Sequence, residues 1–171
     1  MKNLSALSKY IALISIISIS IWVGSYLTRL FLIYQLFEGP DLILRPYIND
    51  ENITGILTTI LPVIVVHFIS YIIFVITSLL FVITSKVNFR NNGWLFIMAV
   101  ITLILTPFEA YLMTIDYKVI TSLTSNIFDS KLILSLLIER IKVLGSFPIV
   151  AMLSYISFFY FIIFQPLTKK S

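Results

Sequence analysis

Four stretches of the chain are almost continuously apolar, at about 10–37, 55–84, 93–115 and 144–165, and polar residues gather between them. A helix needs about 20 mostly apolar residues to cross the hydrocarbon of a bilayer. Each stretch meets that length. None alternates strictly between apolar and polar, as a barrel strand would, so the pattern predicts helices. The first stretch would reach on the order of 42 Å as a helix, beyond a core of about 30 Å. It must therefore tilt or continue past the headgroups. The expected fold is all-α: a single integral membrane domain over 1–171, built as a four-helix bundle.

A fifth helix is expected before the last span. In "DSKLILSLLIERIKVLGSFP", Lys131, Ser135, Glu139 and Lys142 recur at helical spacing on one face, and leucines and isoleucines cover most of the rest. That is the pattern of an amphipathic helix over about 130–143, lying along the membrane interface. Asp129 or Ser130 would cap its start, and Gly145 and Pro148 would bend the chain into the fourth span. The alternative is one long kinked helix over 130–165. In the first loop, Gly39-Pro40 is expected to stop the first helix. Asp50, Glu51 and Asn52 are expected to cap the second. A hard-cation site is the sharper reading of those acids, but they lack ordered ligand spacing.

Composition changes the picture by fixing the solvent. The chain is 59% apolar and 12% charged, against about 45–50% and about 25% in soluble domains. So small a chain cannot hide that much apolar surface in its own interior, and lipid is its natural surrounding. There is no cysteine and one histidine, which excludes disulfides, thiolate metal sites, thiol nucleophiles and a bis-histidine haem within one chain. No cofactor, metal or nucleic-acid partner is expected.

Charge gives direction. One set of helix ends carries Lys2, Lys9, Lys86, Arg90, Lys169 and Lys170, without an acid. The other mixes Arg45, Lys118, Lys131, Arg140 and Lys142 with Glu38, Asp41, Asp50, Glu51, Asp116, Asp129 and Glu139. Lysine and arginine favour the cytoplasmic side, so both termini are expected there. Lys2 and Lys9 before an apolar stretch also resemble a signal peptide. Apolar character resumes at once after Gly24-Ser25, which favours an uncleaved anchor. Abundant isoleucine, lysine and asparagine point to an AT-rich genome and a bacterial cytoplasmic membrane. In such a cell Asn52-Ile53-Thr54 is no glycosylation site.

The candidate chemistry lies inside the spans. An ionisable side chain at the bilayer centre costs about 2.5–3.5 kcal/mol on insertion scales, and such groups face protein and find partners. Arg29, His67 and Glu109 qualify, at about five, three and four turns from the start of their spans, all in the outer half. Arg29 shares a stripe with Ser15, Ser18, Trp22 and Ser25, and Glu109 shares one with Thr106 and Asp116. A track of Ala99, Thr102, Thr106, Ala110 and Thr114 would allow close helix approach. The expectation is an intramembrane cluster with an Arg29–Glu109 ion pair, His67 as a third member, and Asp116 and Tyr71 secondary. Arg29 snorkelling to headgroups, with Glu109 protonated, is the structural alternative. Trp94 is expected in an interfacial belt, and Trp22 against another helix. Pro62 and Pro107 would kink their helices.

Three functions fit. The first is a non-catalytic accessory or assembly subunit of a larger membrane complex, which associates with other membrane proteins or with itself. The second is a small transporter or channel protomer that uses Glu109 and His67. The third is a membrane enzyme on lipid-linked substrates, although no H-E-x-x-H, nucleophile elbow or phosphate loop is present.

Overall fold

A computed structural model describes residues 4–125 and 128–168. Lys2, Lys169 and Lys170 of the basic ends lie outside these residues. In chain order the elements are α1 (Ala6–Tyr34), β1 (Phe37–Glu38), β2 (Ile43–Leu44), α2 (Ile53–Ser85), α3 (Gly93–Thr124), α4 (Ser130–Lys142) and α5 (Phe147–Phe164). α1, α2, α3 and α5 are long and apolar enough to cross a membrane. The fold is all-α, a four-helix bundle with an added short helix, the architecture of a small integral membrane protein.

The four long helices close a ring in which α1 packs on α2, α2 on α3, α3 on α5 and α5 on α1. Successive spans run in opposite directions. Ser5 and Thr168 therefore share one end of the bundle, the terminal end, with the 86–92 connection. The other end, the hairpin end, carries β1, β2 and α4. The outside is apolar: Leu103 is 75% exposed and Ile163 72%. Such a surface suits lipid and would aggregate in water.

Helix boundaries depart from the apolar runs chiefly at both ends of α1 and at the end of α3. α1 starts earlier, at Ala6, because the Ser5 side chain accepts from Ser8 N at 3.1 Å. It also stops earlier, at Tyr34. Gly39-Pro40 does not end it but lies in the turn of a two-residue antiparallel hairpin, where Phe37 pairs with Leu44 and Glu38 with Ile43. Arg45 Nε donates to the Phe37 carbonyl at 3.1 Å, and the Tyr47 hydroxyl donates to the Gln35 carbonyl at 2.9 Å. These bonds hold the hairpin over the end of α1. α3 runs nine residues past the expected 115, to Thr124. Its last turns present Ile115, Val119 and Leu123 at four-residue spacing, all buried. They pack with Ile133, Leu136 and Leu137 of α4 and Leu57 and Ile60 of α2.

The start of α2 is not capped by the side chains of Asp50, Glu51 or Asn52. Asn52 is the N-cap residue without a side-chain cap bond. Instead Asn49 Oδ1 accepts from Glu51 N and Asn52 N, and Asn52 Oδ1 accepts from Asn49 N. That local Asx turn takes up the Asn52 side chain, while Asp50 and Glu51 are exposed. α4, by contrast, is capped as expected, with the Asp129 side chain accepting from Leu132 N at 3.0 Å.

α4 and α5 are separate helices. Gly145 sits between them at φ +53°, a backbone region open to glycine at no steric cost. Pro148 falls in the first turn of α5, where its missing N–H leaves nothing unpaired. α4 buries Ile133, Leu136, Leu137 and Arg140 and exposes Lys131, Ser135, Glu139 and Lys142. Pro62 and Pro107 sit within continuous helices.

The small-residue track faces other helices only in its first half, where Thr106 Oγ1 lies 3.4 Å from the Tyr71 hydroxyl of α2. Ala110 and Thr114 are exposed, and α3 turns Leu105, Glu109, Leu112 and Asp116 inward. Bulky apolar residues at four-residue spacing decided which face packs. Trp94 is also buried, at 3% exposure, rather than forming a belt.

Candidate functional site

Five ionisable side chains from four helices meet inside the bundle: Arg29 of α1, His67 of α2, Glu109 and Asp116 of α3, and Arg140 of α4. Each is 6% exposed or less. The cluster lies between two apolar cores. One gathers the hairpin, α4 and the adjoining turns of α2 and α3. The other is aromatic and holds Trp22, Tyr26, Tyr71, Phe74, Tyr155 and Phe158.

Local helix geometry sets this arrangement. Glu109 and Asp116 are seven residues apart on α3, two turns, so both carboxylates leave the same face about 10 Å apart along the axis. Two arginines serve them. Arg29 takes Asp116 in a two-pronged pairing, with Nη1 donating to Oδ2 at 2.7 Å and Nη2 to Oδ1. Such fork geometry suits a planar guanidinium. Arg140 fills the gap between the carboxylates. Its Nη2 donates to Glu109 Oε1 at 3.0 Å, and its Nε lies 3.3 Å from Asp116 Oδ1. His67 Nε2 meets the same Glu109 Oε1 at 3.3 Å.

The structure thus brings Arg29, His67, Glu109 and Asp116 together but exchanges the partners. Arg29 goes to Asp116, not Glu109, and Glu109 goes to Arg140 and His67. The reason is the longer α3. With the helix continuing to Thr124, Asp116 is an interior residue and competes successfully for Arg29. Arg29 does not snorkel: it is 4% exposed.

Arg140 is the member that charge counting assigned to the external loops. Its signal was present. It stands seven residues after Ile133 and four and three after Leu136 and Leu137, on the apolar stripe and away from the Lys131–Lys142 face. A lone arginine on the buried stripe of a short helix needs a buried partner, and two carboxylates wait on α3.

Tyr71 lies beside the cluster rather than in it. Its hydroxyl pairs with the Tyr155 hydroxyl at 2.8 Å and stands 3.4 Å from Thr106 Oγ1. Trp22 joins the two zones. Its ring centroid is 5.3 Å from that of His67, 5.4 Å from Tyr71 and 5.1 Å from Tyr155. Tyr26 covers His67 at 5.8 Å. With Nε2–H given to the carboxylate, the other imidazole nitrogen, Nδ1, is buried without a partner among the described residues.

Two paired guanidiniums and two carboxylates leave the group with no net formal charge when His67 is neutral. In a low-dielectric interior this balance decides whether burial is tolerable. Each ion taken from water costs several kcal/mol, and mutual pairing with well-placed hydrogen bonds offsets it. A crevice of about 60 Å³ between α1 and the α4–α5 junction is bordered by Tyr26, Arg29 and Arg140, room for a few waters. Among the described residues no group of three or more His, Cys, Asp or Glu side chains is placed to hold a metal ion. Comparison with protein-family models, with curated proteins and with solved structures gave no match.

Proposed function

We propose that the chain is a non-catalytic accessory or assembly subunit of a larger membrane complex. In this reading it sits in a bacterial cytoplasmic membrane with both termini on the cytoplasmic side. The observation that carries it is the mutual saturation of Arg29, Arg140, Glu109 and Asp116. Charges that neutralise one another across α1, α3 and α4 act as a clasp. They fix which helices adjoin and leave no carboxylate free for a passing cation. A second feature supports docking. α4 exposes Lys131, Glu139 and Lys142, and the hairpin end also exposes Glu38, Asp41, Asp50 and Glu51. That rim of mixed sign offers a protein partner a patterned polar face, whereas the flanks offer apolar surface. The orientation is supported by Lys9, Lys86 and Arg90, exposed at the terminal end, where the described residues include no acid.

The test pairs two measurements. Photo-reactive residues at Leu103, Ile163 and Glu139 should crosslink in native membranes to one companion of defined mass. The purified protein in liposomes should leave proton and cation gradients intact. Gradient loss that depends on Glu109 would overturn the proposal.

That outcome would favour the second reading, a proton-coupled carrier. The observation on its side is His67, held on Glu109 with Nδ1 unpartnered, in a cluster that borders the 60 Å³ crevice. Imidazole beside a carboxylate is a recurrent proton relay within membranes. Under this reading Glu109→Gln abolishes flux.

A further inference from the structure

The bundle is packed tightly at the hairpin end and loosely at the terminal end. Between α1, α2, α3 and α5 lies an apolar cavity of about 440 Å³. It runs along α3 from Trp94 to Thr106 and along α2 from Phe74 to Ser85. Twelve and eleven residues of helix correspond to about 16–18 Å, about half of the roughly 30 Å hydrocarbon core. The cavity is therefore as long as one leaflet. It opens sideways where Leu79 and Leu103 are 61% and 75% exposed. Its floor is closed by Phe74, Phe158 and Thr106, just short of the Tyr71–Tyr155 pair.

Polar groups inside this space are largely satisfied. Ser15 and Ser78 share a hydrogen bond at 2.8 Å, and Thr102 and Thr106 donate to the Met98 and Thr102 carbonyls of their own helix. Two lining residues toward the terminal end are the exceptions. Trp94 Nε1 and Ser85 Oγ are buried atoms without a hydrogen-bond partner among the described residues. An indole N–H is a donor only and, when buried, normally finds an acceptor. In the connection between Ser85 and Trp94, Lys86 and Arg90 are exposed, and the positive end of α3 begins at Gly93. This end offers donors and positive charge, and the interior offers hydrocarbon.

We propose that this cavity holds one acyl chain of an anionic phospholipid from the terminal-end leaflet, with its phosphate against Trp94, Lys86 and Arg90. A dry void of this size would leave its walls without contacts, and water gains no partners on so apolar a lining. A lipid chain supplies the contacts at the length of the space. Its headgroup supplies the acceptor that Trp94 lacks, and basic residues near the surface attract anionic lipid. The occupant enters through the gap between Leu79 and Leu103 without leaving the bilayer.

Native mass spectrometry of the purified full chain, loaded with phosphatidylglycerol or phosphatidylcholine of matched chains, tests this. Wild type should retain phosphatidylglycerol about tenfold better. Ala99→Phe, which fills the cavity, should lose both lipids. Lys86→Gln with Arg90→Gln should erase the preference yet keep chain binding. Phosphatidylglycerol brominated along its chain should quench the fluorescence that Trp94→Phe removes, a readout that needs no cavity-filling variant. Absence of quenching, or equal retention by Ala99→Phe and wild type, overturns the proposal. Retention without headgroup preference overturns the assignment of an anionic lipid.

Discussion

Arg140 Nη2 donates to Glu109 Oε1 at 3.0 Å and so ties the short helix α4 to the middle of α3. The same guanidinium approaches Asp116 through Nε. Arg140→Leu leaves Glu109 with His67 alone and removes half of the positive charge facing α3. Removing one member of a buried pair costs about 3–5 kcal/mol. Thermal unfolding in mild detergent should show that loss, and Arg140→Lys should recover only part of it, because an ammonium cannot span two carboxylates as a guanidinium does.

Coupling should follow the observed partners. Arg29→Leu with Asp116→Leu should be less damaging than the sum of the two single changes by about 1–3 kcal/mol. Arg29→Leu with Glu109→Leu should show markedly weaker coupling, since these two residues share no direct bond among those described. Double-mutant cycles on unfolding midpoints read both. Equal coupling in the two cycles would mean that the partners are not those drawn here.

Tyr71 and Tyr155 share one hydroxyl contact at 2.8 Å inside the aromatic core. Tyr155→Phe should cost about 1 kcal/mol. Adding Tyr71→Phe should cost less than the same change made alone, because the shared bond is already broken and only the longer bond to Thr106 Oγ1 at 3.4 Å is left to lose. Chemical denaturation of both variants checks this. Fully additive losses would show that the two hydroxyls share no bond.

A glycine is required where the chain end crosses the start of α3. Gly93 N donates to the Leu167 carbonyl at 3.2 Å, and a Cβ on Gly93 would fall 2.9 Å from Leu167 Cβ. Gly93→Ala should displace this crossing and destabilise by about 1–3 kcal/mol. The chain has no cysteine, so a single Thr168→Cys reports on it. Labelling of that thiol should speed up several-fold in the Gly93→Ala background.

Single thiols also test the spans. Ser5→Cys and Thr168→Cys should react with an impermeant reagent from the same face of a sealed membrane, and Asp41→Cys from the opposite face. Ser5 and Thr168 labelled from opposite sides would break the even number of crossings.

The four long helices were legible because continuous apolar runs of sufficient length have one outcome in lipid. Their ends were not. Asp116, Tyr117 and Lys118 look like the end of a span, yet α3 continues because Ile115, Val119 and Leu123 find apolar partners on α4 and α2. Tertiary cover, invisible in a hydropathy window, decided that boundary and with it the partner of Arg29. Arg29, His67 and Glu109 could be picked out because a charge within an apolar run is conspicuous, and Asp116 because it shares the stripe of Glu109. Arg140 could not be picked out by that criterion, since it stands among Lys131, Glu139 and Lys142 in a polar-looking segment. Only its register with Ile133 and Leu137 marks it. The choice of packing face on α3 held for Thr102 and Thr106 but not for Ala110 and Thr114, which are exposed. Small residues permit approach but do not compel it, and Leu105 and Leu112 filled the space instead.

The distance in sequence between Glu109 and its guanidinium, 31 residues, has a consequence for biosynthesis. A ribosome exposes the glutamate well before it has made the arginine. Until then the nascent chain has one arginine for two acids, and the bundle cannot seal. A polypeptide interrupted before residue 140 therefore carries Glu109 without its guanidinium, facing His67 alone.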